Sequence, residues 1–257
     1  MKLDLNDFIS DNSSSVYLYE VAKLLKDFNY TNKALDIINN LLNKQDPFKY
    51  YFYNQLLHFK AILLSAENLN RFDEAIDILK LLYGVLKYHL QEPEVLTLLG
   101  SNYKRKAFYK DKKLKKDIKK KDINYIVNSI YFYNEALKLN KDKYYNFLNI
   151  LYLEKILTYH NNEDIDEFIH KKSNDLSDIL NSWKPQRNNW WEMISYVEIN
   201  ILLKKDLLAD EYFDQLPKPT KFQYNTSRRQ MEIYNNFCPD DTLFNSFFYA
   251  YNEINFL

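Results

Sequence analysis

Apolar positions recur at helical spacing along most of the chain, in pairs of blocks joined by short polar turns. The clearest case runs from Glu92 to Leu153. In EPEVLTLLGSNYKRK, Leu96, Leu99, Gly100 and Tyr103 take relative positions 4, 7, 8 and 11 of one helix. In DINYIVNSIYFYNEALKLN, Ser129, Tyr133 and Ala136 follow at spacings of +4 and +3 on a second helix, and YYNFLNILYL opens a third. Small residues at these positions let two helices cross closely, and large ones fill the space between them.

The same pairing predicts further repeats on either side. Over 14–46, SSS offers helix N-caps, Leu18, Val21, Ala22 and Leu25 mark a first helix, and Ala34, Ile38 and Leu41 a second. Over 48–90, an aromatic helix from YYFYNQLLHF precedes NRFDEAIDILKLLYGVL, with Asp73 and Glu74 in its first turn and Ala75 and Leu79 facing inward. A repeat over 92–140 carries a basic insertion at 104–122. Pairs over 142–182 and 188–215 follow, the last with Trp191, Ile194, Glu198, Leu202 and Ala209 at helical spacing. Helices over 222–257 close the chain, and Phe244, Phe247, Phe248, Tyr251 and Ile254 form one apolar face there, with Tyr249 and Phe256 on the other. A capping role for that helix and a docking role both follow from this pattern. The expectation is one domain over 1–257, with ten to twelve helices and no sheet.

Composition supports helices over strands. The 257 residues include only two glycines, Gly84 and Gly100, and six prolines, too few turn formers for a β-rich fold of this length. At 46% hydrophobic and 17% aromatic, the chain can bury a sizeable core. Its 35 basic and 35 acidic residues cancel, so no global field draws it to nucleic acid or anionic lipid. The single cysteine, Cys238, excludes an internal disulfide. The start MKLDLNDFISDNSSS lacks the apolar core of a signal peptide, and no apolar run approaches a membrane span, so a cytoplasmic location is expected.

EPEVLTLLGSNYK, SIYFYNEALKLN and YYNFLNILYL together resemble the TRAFs-binding tetratricopeptide-like (TPR) domain of apoptosis-signal-regulating kinases and bacterial proteins. WWEMISYVEINILLKKDLLA is similar to that family's tryptophan-x6-glutamate-then-alanine segment. TSRRQ at 226–230 resembles its serine/threonine pair followed by glutamine, and Asn149 matches an asparagine after the paired tyrosine. The basic insertion, Lys141 where proline is usual, and Ser227 in place of threonine depart from the pattern. The resemblance implies an all-α, irregular TPR-like solenoid, a right-handed superhelix of antiparallel helix pairs. It implies a non-enzymatic interaction or regulatory scaffold, within a bacterial signalling or defence complex.

Catalytic chemistry finds little support. Two glycines cannot build a phosphate loop, and His58, His89, His160 and His170 are not at metal-ligand spacing with one another or with Cys238. His160 and His170 bracket Glu163, Asp164, Asp166 and Glu167, a set that a hydrolase reading would use and that an acidic helix start explains equally. No catalytic residue, metal or cofactor is expected. In repeat arrays the first helices line the concave face, which places Tyr19, Lys23, Lys26, Lys60, Ser101, Lys104, Tyr152, Lys155 and Glu198 there. The recurring lysines suit an acidic peptide or protein partner. The insertion holds eleven Lys or Arg against three Asp, a local excess of +8, with Phe108 and Tyr109 interleaved. It forms either a helical hairpin arm or a loop. Through Lys112, Lys113, Lys115, Lys116, Lys119, Lys120 and Lys121 it offers three roles: a solvated arm, a dock for an acidic protein, or the contact of a nucleic-acid-binding subunit acting through 104–121.

Overall fold

The computed structural model describes residues 14–44, 50–66, 68–86, 92–139 and 143–254. The chain divides into two compact units, residues 1–113 and 114–257. Among the described residues the elements are almost all α-helices, in a TPR-like arrangement, and none is long and apolar enough to cross a membrane.

The first unit holds α1 (Ser15–Asp27), α2 (Thr31–Lys44), α3 (Tyr50–Leu64), α4 (Phe72–Leu86) and α5 (Glu92–Phe108), each packed on the next. Ser14 starts α1, its side chain accepting from the Tyr17 amide at 3.2 Å. The crossings are lined by alanines with no exposed surface, Ala22, Ala34, Ala61 and Ala75, and between them sit Ile38, Leu41, Leu56, Leu63 and Leu79.

The second unit holds α6 (Lys120–Leu139), α7 (Lys143–His160), α8 (Ile165–Ser182), α9 (Trp190–Leu202), α10 (Asp206–Phe213), α11 (Lys221–Phe237) and α12 (Thr242–Asn252). Helix α7 packs against α6, α8, α9 and α11, and α9 against α7, α10, α11 and α12. That accounts for the sequence of α9, which is apolar on most sides and buried at every position from Met193 to Leu202, Ser195, Glu198 and Asn200 included. Trp183, just beyond α8, stacks on Tyr144 with ring centres 3.5 Å apart. Thr220 and Gln223 form a reciprocal capping box at the start of α11.

Asparagine does the work of glycine at the helix ends. Asn29, at φ 62°, donates its amide to the Lys26 carbonyl, and Tyr30 donates to Leu25, the paired bonds of a Schellman stop. Asn162 and Glu163 repeat the pattern after α7, and Lys204 and Lys205 after α9. The scarcity of glycine noted in the sequence is therefore met by residues whose short or flexible side chains tolerate the left-handed region.

Two expectations change. The insertion is neither a long helical arm nor an open loop, because α5 continues to Phe108 and α6 begins at Lys120. Between them the two-residue strands β1 (Tyr109–Lys110) and β2 (Lys113–Leu114) pair into a tight hairpin, where no sheet was expected. Both turn residues, Asp111 (φ 51°) and Lys112 (φ 65°), are left-handed, the geometry that matches the twist of a two-residue hairpin. Without glycine this conformation costs about 1–2 kcal/mol per residue. The Lys112 ammonium offsets part of that cost by donating to the Asn68 carbonyl at 2.7 Å.

Candidate functional site

The residues expected on a concave face separate into two environments. In the first unit Tyr19 is half-buried, edge-on to Phe52 and Phe59, with the Lys23 ammonium 5.2 Å from its ring centre. Lys23 pairs with Glu20 and Lys26 with Asp27. Both lysines keep about two-fifths of their side-chain surface exposed, so they remain available to a ligand. Lys60 is half-buried, while Ser101 and Lys104 are buried. Below them a polar pin joins α3 to α5. Ser65 Oγ lies 2.7 Å from Asn102 Oδ1, and Arg105 donates to the Ser65 carbonyl at 2.6 Å.

In the second unit Tyr152, Lys155 and Glu198 are interior rather than groove-lining, each at most 3% exposed. The reason is coverage by α11 and α12, whose aromatic face meets α7 and α9. Phe244 packs on Tyr152 and Tyr234, Phe247 on Phe213, and Tyr251 on Trp190 and Tyr224. The polar groups beneath satisfy one another. Tyr152 donates to Glu198 Oε2 at 2.7 Å. Lys155 Nζ donates to the Leu202 carbonyl at 3.0 Å and to Asp241 Oδ2 at 2.8 Å, and Tyr234 donates to the same oxygen at 2.7 Å. Asp241 Oδ1 accepts the Phe244 amide and so caps α12.

Burial, reinforced by Glu198, holds the Tyr152 phenol well above its ordinary range. Burial lowers Lys155, with Asp241 opposing it. Burial alone would raise Asp241, but Lys155 and Tyr234 outweigh it and hold the carboxyl below the usual range. Burial pushes the Cys238 thiol up to about 12. In PDDTLF the sequence marks Asp240 and Asp241 as suited to a helix N-terminus, and Asp241 does cap α12; its bonds to Lys155 and Tyr234 carry no signal of their own in the sequence.

The lysine-rich segment is anchored, not free. Phe108 is fully buried, so it is not an interleaved aromatic at the surface. In the second unit Lys115 pairs with the buried Asp122 at 2.7 Å, and the Lys119 amide donates to the other Asp122 oxygen at 3.0 Å. Asn236 donates to the Lys115 carbonyl. Lys116, Lys119, Lys120 and Lys121 are exposed, with no acidic partner among the described residues, as are Lys110 and Lys113 in the first unit. Lys120 and Lys121 begin α6, where the positive end of the helix dipole disfavours cations.

The acidic residues between His160 and His170 have a structural role. Asp164 Oδ1 accepts the Asp166 and Glu167 amides and opens α8, and Asp166 pairs with Lys204.

No curated protein matches the chain. Residues 29–154, from the end of α1 through most of α7, match the family model described as Tetratricopeptide Repeats-Sensor, so this part of the chain is TPR-like in sequence as well as in its helix pairing.

Proposed function

We propose that the protein is a non-catalytic interaction module that binds a polypeptide partner, acting as a sensor or scaffold within a signalling or defence complex. The observation that carries this reading is the coincidence of paired, alanine-crossed helices with the Tetratricopeptide Repeats-Sensor match over 29–154. Repeats of this type generally present their first helices to protein ligands. In the first unit the ligand face is built on Tyr19, Lys23, Lys26 and Lys60, with Ser101 and Lys104 beneath it. Its cations suit an acidic segment.

Affinity capture from the native host, followed by mass spectrometry, tests this. The expected result is a specific partner whose recovery falls when Lys23 and Lys60 are changed to glutamate. Recovery of no partner above a denatured control overturns the reading.

A further inference from the structure

One stripe of α6 breaks the local rules of a solvated helix. Lys120 and Lys121 lie in its first turn, against the helix dipole, and Lys116 and Lys119 precede them, all exposed and without acidic partners among the described residues. Three exposed lysines elsewhere pair with carboxylates, Lys23 with Glu20, Lys138 with Glu135 and Lys204 with Asp166; what sets the α6 lysines apart is that Lys116, Lys119, Lys120 and Lys121 are all exposed within one short segment. The lysines are also held in place, through Asp122 bonded to both Lys115 and the Lys119 amide. From Lys120 the exposed face continues at helical spacing through Asn124 and Val127 to Tyr131, whose side chains are 53% and 51% exposed at the last two positions. Cations at one end of a helix face, followed by exposed apolar groups, are a local conflict that a ligand resolves.

We propose that this α6 stripe docks a carboxylate-rich amphipathic polypeptide, its acidic end on Lys116, Lys120 and Lys121 and its apolar side chains on Val127 and Tyr131. The inference rests on the interaction-module reading and names the partner's chemistry. A polypeptide fits better than nucleic acid for three reasons. Residues 109–121 contain no arginine to fork a phosphate. Phe108, an aromatic of the insertion itself, is interior, and the exposed Tyr131 stands away from the cations, at the far end of the stripe from Lys120. The stripe itself turns apolar within two helical turns, where a phosphodiester backbone would need further cations.

The test uses the full chain and three fluorescent probes: a glutamate-rich amphipathic peptide with leucines at helical spacing, its glutamine counterpart, and single-stranded oligouridylate. The glutamate peptide binds at low salt and weakens as salt rises, and the glutamine peptide does not bind. The triple variant Lys116→Glu, Lys120→Glu, Lys121→Glu loses about tenfold or more in affinity, as expected for three screened ion pairs removed and reversed. Because acidic residues suit a helix N-terminus, this variant melts no lower than the wild type, so lost binding is not lost folding. Tyr131→Ser weakens the peptide as well. Tighter binding of oligouridylate than of the glutamate peptide, or indifference of the peptide to the triple variant, overturns the proposal. A partner captured from the host that binds the triple variant equally well also overturns it, yet leaves the interaction-module reading intact. Failure to capture any partner, with the peptide still bound as described, removes that reading instead.

Discussion

The Lys155 ammonium on α7 donates to the Asp241 carboxylate at 2.8 Å, although 86 residues separate the two along the chain. The same ammonium reaches the Leu202 carbonyl at the end of α9. One side chain thus joins the body of α7, the last turn of α9 and the cap of α12.

Lys155→Met removes the cation and leaves Asp241, largely shielded from water, with only Tyr234 and the Phe244 amide. A loss of about 3–5 kcal/mol is expected, the range for breaking a buried ion pair. Urea unfolding measures it. Adding Asp241→Asn recovers part of that loss, because the stranded charge is gone; a double variant that simply adds the two single losses would show the pair to be uncoupled.

Cys238 gives a prediction in pH. Its folded pKa of about 12 exceeds the ordinary 9.0, so the neutral thiol is favoured in the fold. That contribution is complete below pH ~9 and is lost as pH rises from there towards ~12. Lys155 acts in the opposite direction: its lowered pKa penalises the fold at neutral pH, and the penalty eases as pH climbs towards 10.5. The difference between wild type and Cys238→Ala therefore isolates the thiol, and it shrinks above pH 9. In the folded protein at pH 8, Cys238 should react with a disulfide reagent far more slowly than in urea, since it is buried as well as protonated.

The two faces of α12 respond differently. Phe244 is fully buried among Tyr152, Tyr234 and Phe247, and Phe244→Ala should cost about 3–5 kcal/mol. Tyr249 is 72% exposed, and Tyr249→Ala should stay within about 0.5 kcal/mol. Thermal melts of the two variants check this, and a large loss at Tyr249 would indicate that it is covered in solution. Phe256, assigned to that outer face from the sequence, lies outside the described residues.

Lys204 holds a left-handed conformation that glycine adopts without strain. Lys204→Gly should raise stability by about 0.5–1 kcal/mol despite loss of its exposed pair with Asp166. At the corresponding position after α1, Asn29→Val should lower stability by about 1–2 kcal/mol. Denaturant midpoints of the two variants should move in opposite directions.

The helices were legible in the sequence because their inward positions keep strict spacing: Ala34, Ile38 and Leu41 on α2, and Ser129, Tyr133 and Ala136 on α6, are all buried. The fate of Tyr152, Lys155 and Glu198 was not legible. Position within a helix tells which way a side chain points, but not whether a later helix comes to cover it. Here α12, whose own aromatic face was clear, covers the network that includes all three. The hairpin after α5 was hidden for another reason. Asp111 and Lys112 carry no glycine signal, and the left-handed turn is supported in part by the bond from Lys112 to Asn68, a contact invisible to local pattern.

The burial of α9 from Met193 to Leu202 has a consequence for biosynthesis. Helices α7 and α10 cover one part of it, and the rest stays unshielded until α11 and α12 have left the ribosome. At typical elongation rates, the interval between synthesis of Leu202 and of Asp241 is about 2–8 s. During that interval the part of α9 that meets α11 and α12, with Trp190 opposite Tyr251, lacks its cover, the kind of surface that chaperones bind. A stop codon placed before Asp241 would remove α12 and make the exposure beneath it permanent.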